Sequence, residues 1–155
     1  MSKGSAQHGT FVIEREFAFP RARLFAAWAV REAKDRWFGG PSGQWKPLER
    51  QMEFRVGGTE RARGQWTGGR VSDFQAQYHD IVQDKRIVYS YSMHIDEKKI
   101  SVSLATIEFE PSGKGTRLIL TEQGAFLDGY DDAGSRERGT GELMNALGKS
   151  LEGKS

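Results

Sequence analysis

The order and spacing of apolar residues predict an α+β fold. It consists of a curved antiparallel sheet of about six to seven strands, two short helices after the first strand, and a long C-terminal helix. Three observations carry this. Short strand-like segments recur from residue 52 to residue 123, divided by turn residues and with no helical crossover between them. A proline-led helical pattern interrupts the strands once, near the start. Leu143, Ala146, Leu147 and Leu151 form a final stripe at the spacing of one helix face. Helices segregated to one side of an antiparallel sheet make an α+β domain.

Residues 1–9 (MSKGSAQHG) hold one lysine and no apolar run, so they are expected to be a disordered lead-in rather than a signal peptide. Residues 10–155 then form a single domain. Phe11, Ile13, Phe17 and Phe19 alternate with Val12, Glu14, Glu16 and Ala18, which predicts a strand over 11–19 with one buried face. Pro20 starts a helix carrying Leu24, Phe25 and Trp28, and Ala33, Trp37 and Phe38 belong to a second. The glycines and proline of 39–43 make a loop. Strands are expected at 52–56, 60–66, 74–82, 86–95, 100–109 and 116–123, with hairpins at Asp84-Lys85, Asp96-Glu97 and Pro111-Ser112-Gly113. Residues 125–134, rich in glycine and aspartate, read as a loop. Gly139, Gly141 and Gly148 weaken the last helix by roughly 1 kcal/mol each, so it needs a partner surface.

Composition excludes several classes of function. The chain has no cysteine, which removes disulfides, thiolate nucleophiles and thiolate-bound zinc. Its 23 basic and 21 acidic residues are interleaved, so there is no basic stripe for nucleic acid. No apolar run is long enough to span a membrane, and the cytoplasm is the default location. Phosphate-loop, nucleophile-elbow and metalloprotease patterns are absent, and no metal or cofactor is expected. Of the three histidines, His8 lies in the lead-in, while His79 and His94 alternate with apolar neighbours and point outward.

The aromatic residues Trp37, Phe38, Trp66, Tyr78, Tyr89, Tyr91 and Phe126, with Met93, are either core or walls of a pocket beside the last helix. Met144 and Leu147 would face them from that helix, and Glu122 from the sheet. Tyr89, Tyr91 and Met93 share a strand face with Ile87 and Ile95, so two hydroxyls enter an apolar interior and need partners or a ligand. Arg15 sits on the inward face of the first strand, either paired with Glu122 or at a place where that face is solvated and nothing is buried. The charged run of Asp128, Asp131, Asp132, Arg136, Glu137 and Arg138 reads as a solvated approach to the helix, and the segment 121–130 as a lid.

Seven strings occur in order: IEREFAFP (13–20), LFAAW (24–28), RWFGGP (36–41), FRVGG (54–58), DIVQDKRIVYSY (80–91), GTRL (115–118) and the leucine-spaced helix. Together they resemble the START-like, polyketide-cyclase and lipid-transport superfamily, in the branch of the activator of heat-shock-protein ATPase homologues. The resemblance spans about residues 10–152. It implies a helix-grip fold with a mostly apolar cavity, and a hydrophobic or aromatic small molecule as partner. It also leaves two alternatives: a cyclase or aromatase using Tyr89, Tyr91 and Glu122, and a co-chaperone-like interaction module. Exposed aromatics leave a homodimer open. Many members of the branch begin the last helix with Gly-Trp, whereas this chain has Gly139-Thr140, which leaves room at the cavity mouth.

Overall fold

The computed structural model describes residues 5–153. Strand β1 (Ala6–Phe17) is followed by helices α1 (Arg21–Ala29) and α2 (Arg31–Lys34). Then come β2 (Trp45–Met52), β3 (Thr59–Trp66), β4 (Val71–Val82), β5 (Arg86–Ile95), β6 (Lys98–Ser112), β7 (Gly115–Leu127) and helix α3 (Ala133–Leu151). The seven strands form one antiparallel sheet in the order β1-β7-β6-β5-β4-β3-β2. From β2 onward each strand turns back beside its predecessor. Strand β1 pairs with β7, so the segment bearing α1 and α2 carries the chain across the whole sheet to the opposite edge. This is the α+β helix-grip arrangement expected from the sequence.

The register explains the core. Ile13, Leu120, Ile107, Ile87 and Ile81 fall opposite one another across five neighbouring strands and form one apolar row on the inner face. The adjacent row reads Phe11, Glu122, Ala105, Tyr89 and Tyr78. Bulges insert an extra residue in β4 (His79, between Tyr78 and Asp80) and in β6 (Ile100, opposite Met93 and His94), and such bulges bend a sheet. Asp96 and Glu97 both have positive φ (50° and 72°), the backbone that a two-residue hairpin requires.

The helices cover the concave face. Pro20 is the residue before α1, with its ring φ at −68°. Asp132 caps α3, its carboxylate accepting from the Ser135 N–H at 2.8 Å. Helix α3 packs on β1 and α1. Met144, Leu147 and Leu151 bury its apolar stripe, and that contact offsets the weak intrinsic propensity of its glycines. A Cβ on Gly9 would sit 2.5 Å from the Ala133 Cβ, so a bare backbone at position 9 lets the start of α3 approach the sheet edge.

Four boundaries differ from expectation. The lead-in predicted for 1–9 ends earlier. Ala6–Gly9 pair with Gly124–Leu127 as the first residues of β1, their backbone groups finding partners that composition does not reveal; residues 1–4 lie outside those described. Strand β2 occupies 45–52 rather than 52–56, and Phe54 and Val56 lie in the irregular segment after it. Strand β7 continues to Leu127, so 121–127 is sheet and not a lid. Helix α3 begins at Ala133, which puts Arg136, Glu137 and Arg138 inside the helix and Gly139-Thr140 in its second turn, with Thr140 buried.

Leu147 is fully buried between α3 and the sheet. Leu147→Ala is therefore expected to cost about 2–5 kcal/mol. Urea unfolding should show a lower midpoint with an unchanged slope.

Candidate functional site

The inner face of β3, β4 and β5 carries a continuous run of aromatic rings. Phe25 meets Phe54 at 5.7 Å between centroids, Phe54 meets Tyr78 at 5.0 Å, Tyr78 meets Tyr89 at 6.1 Å and Tyr89 meets Tyr91 at 6.0 Å. Phe74 joins Tyr91 at 4.9 Å and Phe38, also at 4.9 Å. Most of these contacts are edge-to-face, the arrangement the ring quadrupoles favour. Phe38, Trp66 and Met93 are half-buried, so the aromatic wall reaches the surface at that end. There the Trp45 indole lies across Gly64, whose Cβ would come within 2.1 Å of it. The Trp66 indole N–H donates to Ser72 Oγ at 3.0 Å.

Two buried carboxylates flank this wall, each held by a cation and a tyrosine. Glu60 on β3 accepts from Lys34 Nζ at 2.7 Å, from Arg50 Nη1 at 2.8 Å and from the Tyr78 hydroxyl. Asp35 takes Arg50 Nε at 2.7 Å. The Lys34 side chain is 2% exposed, and its ammonium lies 4.5 Å from the Phe38 centroid. Burial alone pushes the Glu60 carboxyl up. The charge and hydrogen bond of Lys34, then the Tyr78 hydroxyl and Arg50, outweigh it and hold Glu60 below its ordinary value. Burial also pulls Lys34 down, against the pull of Glu60.

The second carboxylate is Glu122 on β7. It accepts from the Tyr91 hydroxyl at 2.8 Å, and Arg136 of α3 stands 3.5 Å away. Arg136 also donates to the Tyr91 oxygen at 2.8 Å, to Ser101 Oγ at 2.7 Å and to Asp131 at 3.0 Å. Its guanidinium covers the Phe126 ring at 5.4 Å. Here burial wins: it pushes the Glu122 carboxyl up despite Tyr91 and Arg136.

Between the two clusters stands Tyr89. Burial, followed by the neighbouring Tyr91 and the charges of Glu122 and Glu60, drives its hydroxyl well above the ordinary tyrosine value, so it stays protonated. Among the described residues that hydroxyl makes no hydrogen bond, although the Tyr78 and Tyr91 hydroxyls on either side do. Seven per cent of Tyr89 remains exposed.

Trp66, Tyr78, Tyr89, Tyr91, Met93, Glu122 and Phe126 all project from the inner face, and Met144 and Leu147 face it from α3. Trp37 follows α2, is buried against Trp28 at 4.7 Å and donates to the Ala27 carbonyl at 3.0 Å, which places it in the helix core. The expected Arg15–Glu122 pair does not form. Arg15 lies opposite Leu118, nearer the other end of the strand, and donates to the Glu14 carbonyl at 3.1 Å. Arg136 supplies the cation instead, so the solvated reading of that residue is also corrected. Lys34, Arg50, Glu60 and Ser101 had no sequence signal: the first three lie among other charged residues, and Ser101 is one serine in an apolar strand. His79 points outward to Ser90 Oγ at 2.7 Å, as expected.

Two of the concavities on the described surface stand out, and only the second touches this wall, at Trp66. One, of about 390 Å³, is on the outer face among His8, Thr10, Val102, Leu104 and Gln123. The other, of about 290 Å³, lies beside Trp45 and Trp66 at the β2–β3 end. No group of three metal-ligating side chains comes together among the described residues, and no helix there is long and apolar enough to cross a membrane.

A seven-stranded curved sheet gripping a C-terminal helix, with an aromatic interior, defines the START-like class. The family described as Activator of Hsp90 ATPase homolog 1-like protein matches residues 18–152, and the chain belongs to it. A protein from Rhizobium leguminosarum is 45% identical, with a TM-score of 0.91, covering 97% of this chain and 98% of that one. The Mll3558 protein from Rhizobium loti is also 45% identical, with a TM-score of 0.87 and coverage of 95% and 99%. An AHSA1-like protein from Aeromonas hydrophila, at 16% identity and a TM-score of 0.71, covers 94% and 93% and shares the fold. No curated protein matches the sequence.

Glu60→Gln should leave the Lys34 ammonium buried against a neutral amide and cost about 3–5 kcal/mol at neutral pH. An acid whose folded pKa is depressed adds stability above its unfolded value, and loses it as pH falls through the folded one. The gap between wild type and variant should therefore narrow as the pH drops below the ordinary carboxylate value of 4.5. Urea titrations across that range check the sign.

Proposed function

We propose that the chain binds a hydrophobic or aromatic small molecule against the inner face of β3–β5, beside α3. The observation that carries this is the Tyr89 hydroxyl, set in an aromatic wall without a protein partner while both neighbouring tyrosines are bonded, on a residue that keeps 7% of its surface exposed. Ser103 Oγ, buried on the same face beside Glu122, also lacks a hydrogen bond of good geometry. Buried polar groups without protein partners are uncommon, and a ligand is one thing that satisfies them. The helix-grip fold of this family is generally a ligand-binding fold, which supports the same reading. The wall is packed in the unliganded chain, so binding requires its half-buried end, at Phe38, Trp66 and Met93, to part.

The cyclase alternative needs Tyr89, Tyr91 and Glu122 to touch substrate. Tyr91 and Glu122 bond to each other and to Arg136, so they hold α3 to the sheet. That arrangement favours binding over turnover.

Native mass spectrometry of the purified protein, followed by denaturing extraction, should recover a retained apolar molecule. Protein stripped of it should be stabilised by naphthalene, by about 2.7 kcal/mol at a hundredfold excess over Kd. A chain that retains nothing and shows no stabilisation with a panel of apolar aromatics would not be a binder of this class.

A further inference from the structure

We infer that the inner site selects neutral aromatic molecules bearing one acceptor oxygen, a phenolic hydroxyl or ring carbonyl, and that Tyr89 donates the selecting hydrogen bond. This rests on the binding reading above and gives that site its ligand chemistry.

The argument begins with hydroxyl accounting across one row of the sheet. Glu122, Ala105, Tyr89 and Tyr78 lie opposite one another on β7, β6, β5 and β4. Tyr78 donates its proton to Glu60, and Tyr91, two residues along from Tyr89, donates to Glu122 at 2.8 Å. The Tyr91 oxygen in turn accepts from Arg136 at 2.8 Å. Those two hydroxyls are therefore committed. Tyr89 alone keeps an unspent proton, on a ring more than nine-tenths buried. Ala105, directly opposite it on β6, presents only a methyl group, so the sheet offers no partner. The hydroxyl is left to solvent or to an acceptor brought by a ligand, which takes the solvent's place.

Charge sets the second condition. Tyr89 stands between two carboxylates, and their charges help push its hydroxyl up. The cations nearest them are already engaged: Lys34 and Arg50 with Glu60 and Asp35, and Arg136 with Glu122 and Asp131. A carboxylate ligand would lose its hydration without gaining a free counter-charge, which is strongly unfavourable in an apolar site. A neutral oxygen carries no such cost. The rings of Phe74, Tyr78 and Tyr91 around Tyr89 give a flat aromatic body edge and face contacts.

The test compares three probes of one shape: naphthalene, 2-naphthol and 2-naphthoate. Each is titrated into the stripped full chain with tryptophan fluorescence as readout. At neutral pH, 2-naphthol should bind about tenfold more tightly than naphthalene, the value of one buried hydrogen bond. The naphthoate anion should bind more weakly than either. Tyr89→Phe should bring 2-naphthol to the affinity of naphthalene and leave naphthalene unchanged. Urea unfolding shows that the variant is folded, since it deletes an oxygen with no partner. Naphthalene binding without discrimination, or discrimination that survives Tyr89→Phe, would overturn the inference and leave the binding reading standing. If none of the three probes binds, both fall.

Discussion

Two carboxylates lie inside this fold, and the placement of the helices depends on neutralising them. An ionised carboxylate moved from water into an apolar interior costs several kcal/mol even after relaxation, so each must find a cation and hydrogen-bond donors in place. For Glu60 the cation comes from Lys34, the last residue of α2, reinforced by Arg50 on the neighbouring edge strand. For Glu122 it comes from Arg136, in the first turns of α3. The two helical segments are thus tied to the sheet by directional contacts, one towards the β3 edge and one towards β7. Apolar burial is non-directional and would tolerate a helix sliding along its groove. A buried pair adds little net stability over an apolar replacement, but removing one partner is costly, which gives these pairs their hold on geometry.

The same two clusters shape the aromatic wall. Tyr78 and Tyr91 are each pinned at both ends, the ring by its neighbours and the hydroxyl by a carboxylate. Tyr89 is pinned only by ring contacts. Its ring is as fixed as the others, yet its chemistry is unspent. Phenylalanine would fill the same volume, so the hydroxyl at this position adds a polar contact that the packing of the core does not use.

Alternation made the strands legible wherever one face was apolar throughout. β5 and β6 show this: Ile87, Tyr89, Tyr91 and Met93 on one strand, and Ala105, Ile107 and Phe109 on the next, are regular in sequence and in space. The aromatic part of the site was visible for the same reason. The ionic part was not. β3 reads TERARGQW, and its inward residues are Glu60, Ala62, Gly64 and Trp66, which alternate by position but not by hydrophobicity. Lys34 and Arg136 sit in runs of charge where nothing local separates a buried cation from a solvated one. Only the register of distant strands does so, because it brings Glu60 and Glu122 beneath them. The error over Arg15 has the same origin. Its face was read correctly, but the pairing of β1 with β7 sets it opposite Leu118, away from Glu122.

The ties also determine which part of the fold is able to yield. Lifting α3 from the sheet would expose Met144, Leu147 and Leu151 and strip Glu122 of its cation. Withdrawing α2 would do the same to Glu60. Between α2 and β2, residues 39–44 meet the wall mainly where Gly39 and Gly40 lie against the Trp45 and Trp66 rings. No ion pair among the described residues fastens that segment to the sheet. Displacing it uncovers two indoles and breaks no charge–charge contact, and Phe38 and Met93 stand half-exposed beside it. Opening at this end therefore costs far less than opening at either helix. The ligand binding proposed above would therefore open the fold at this end, along Phe38 and Phe74 towards Tyr91 and Tyr89.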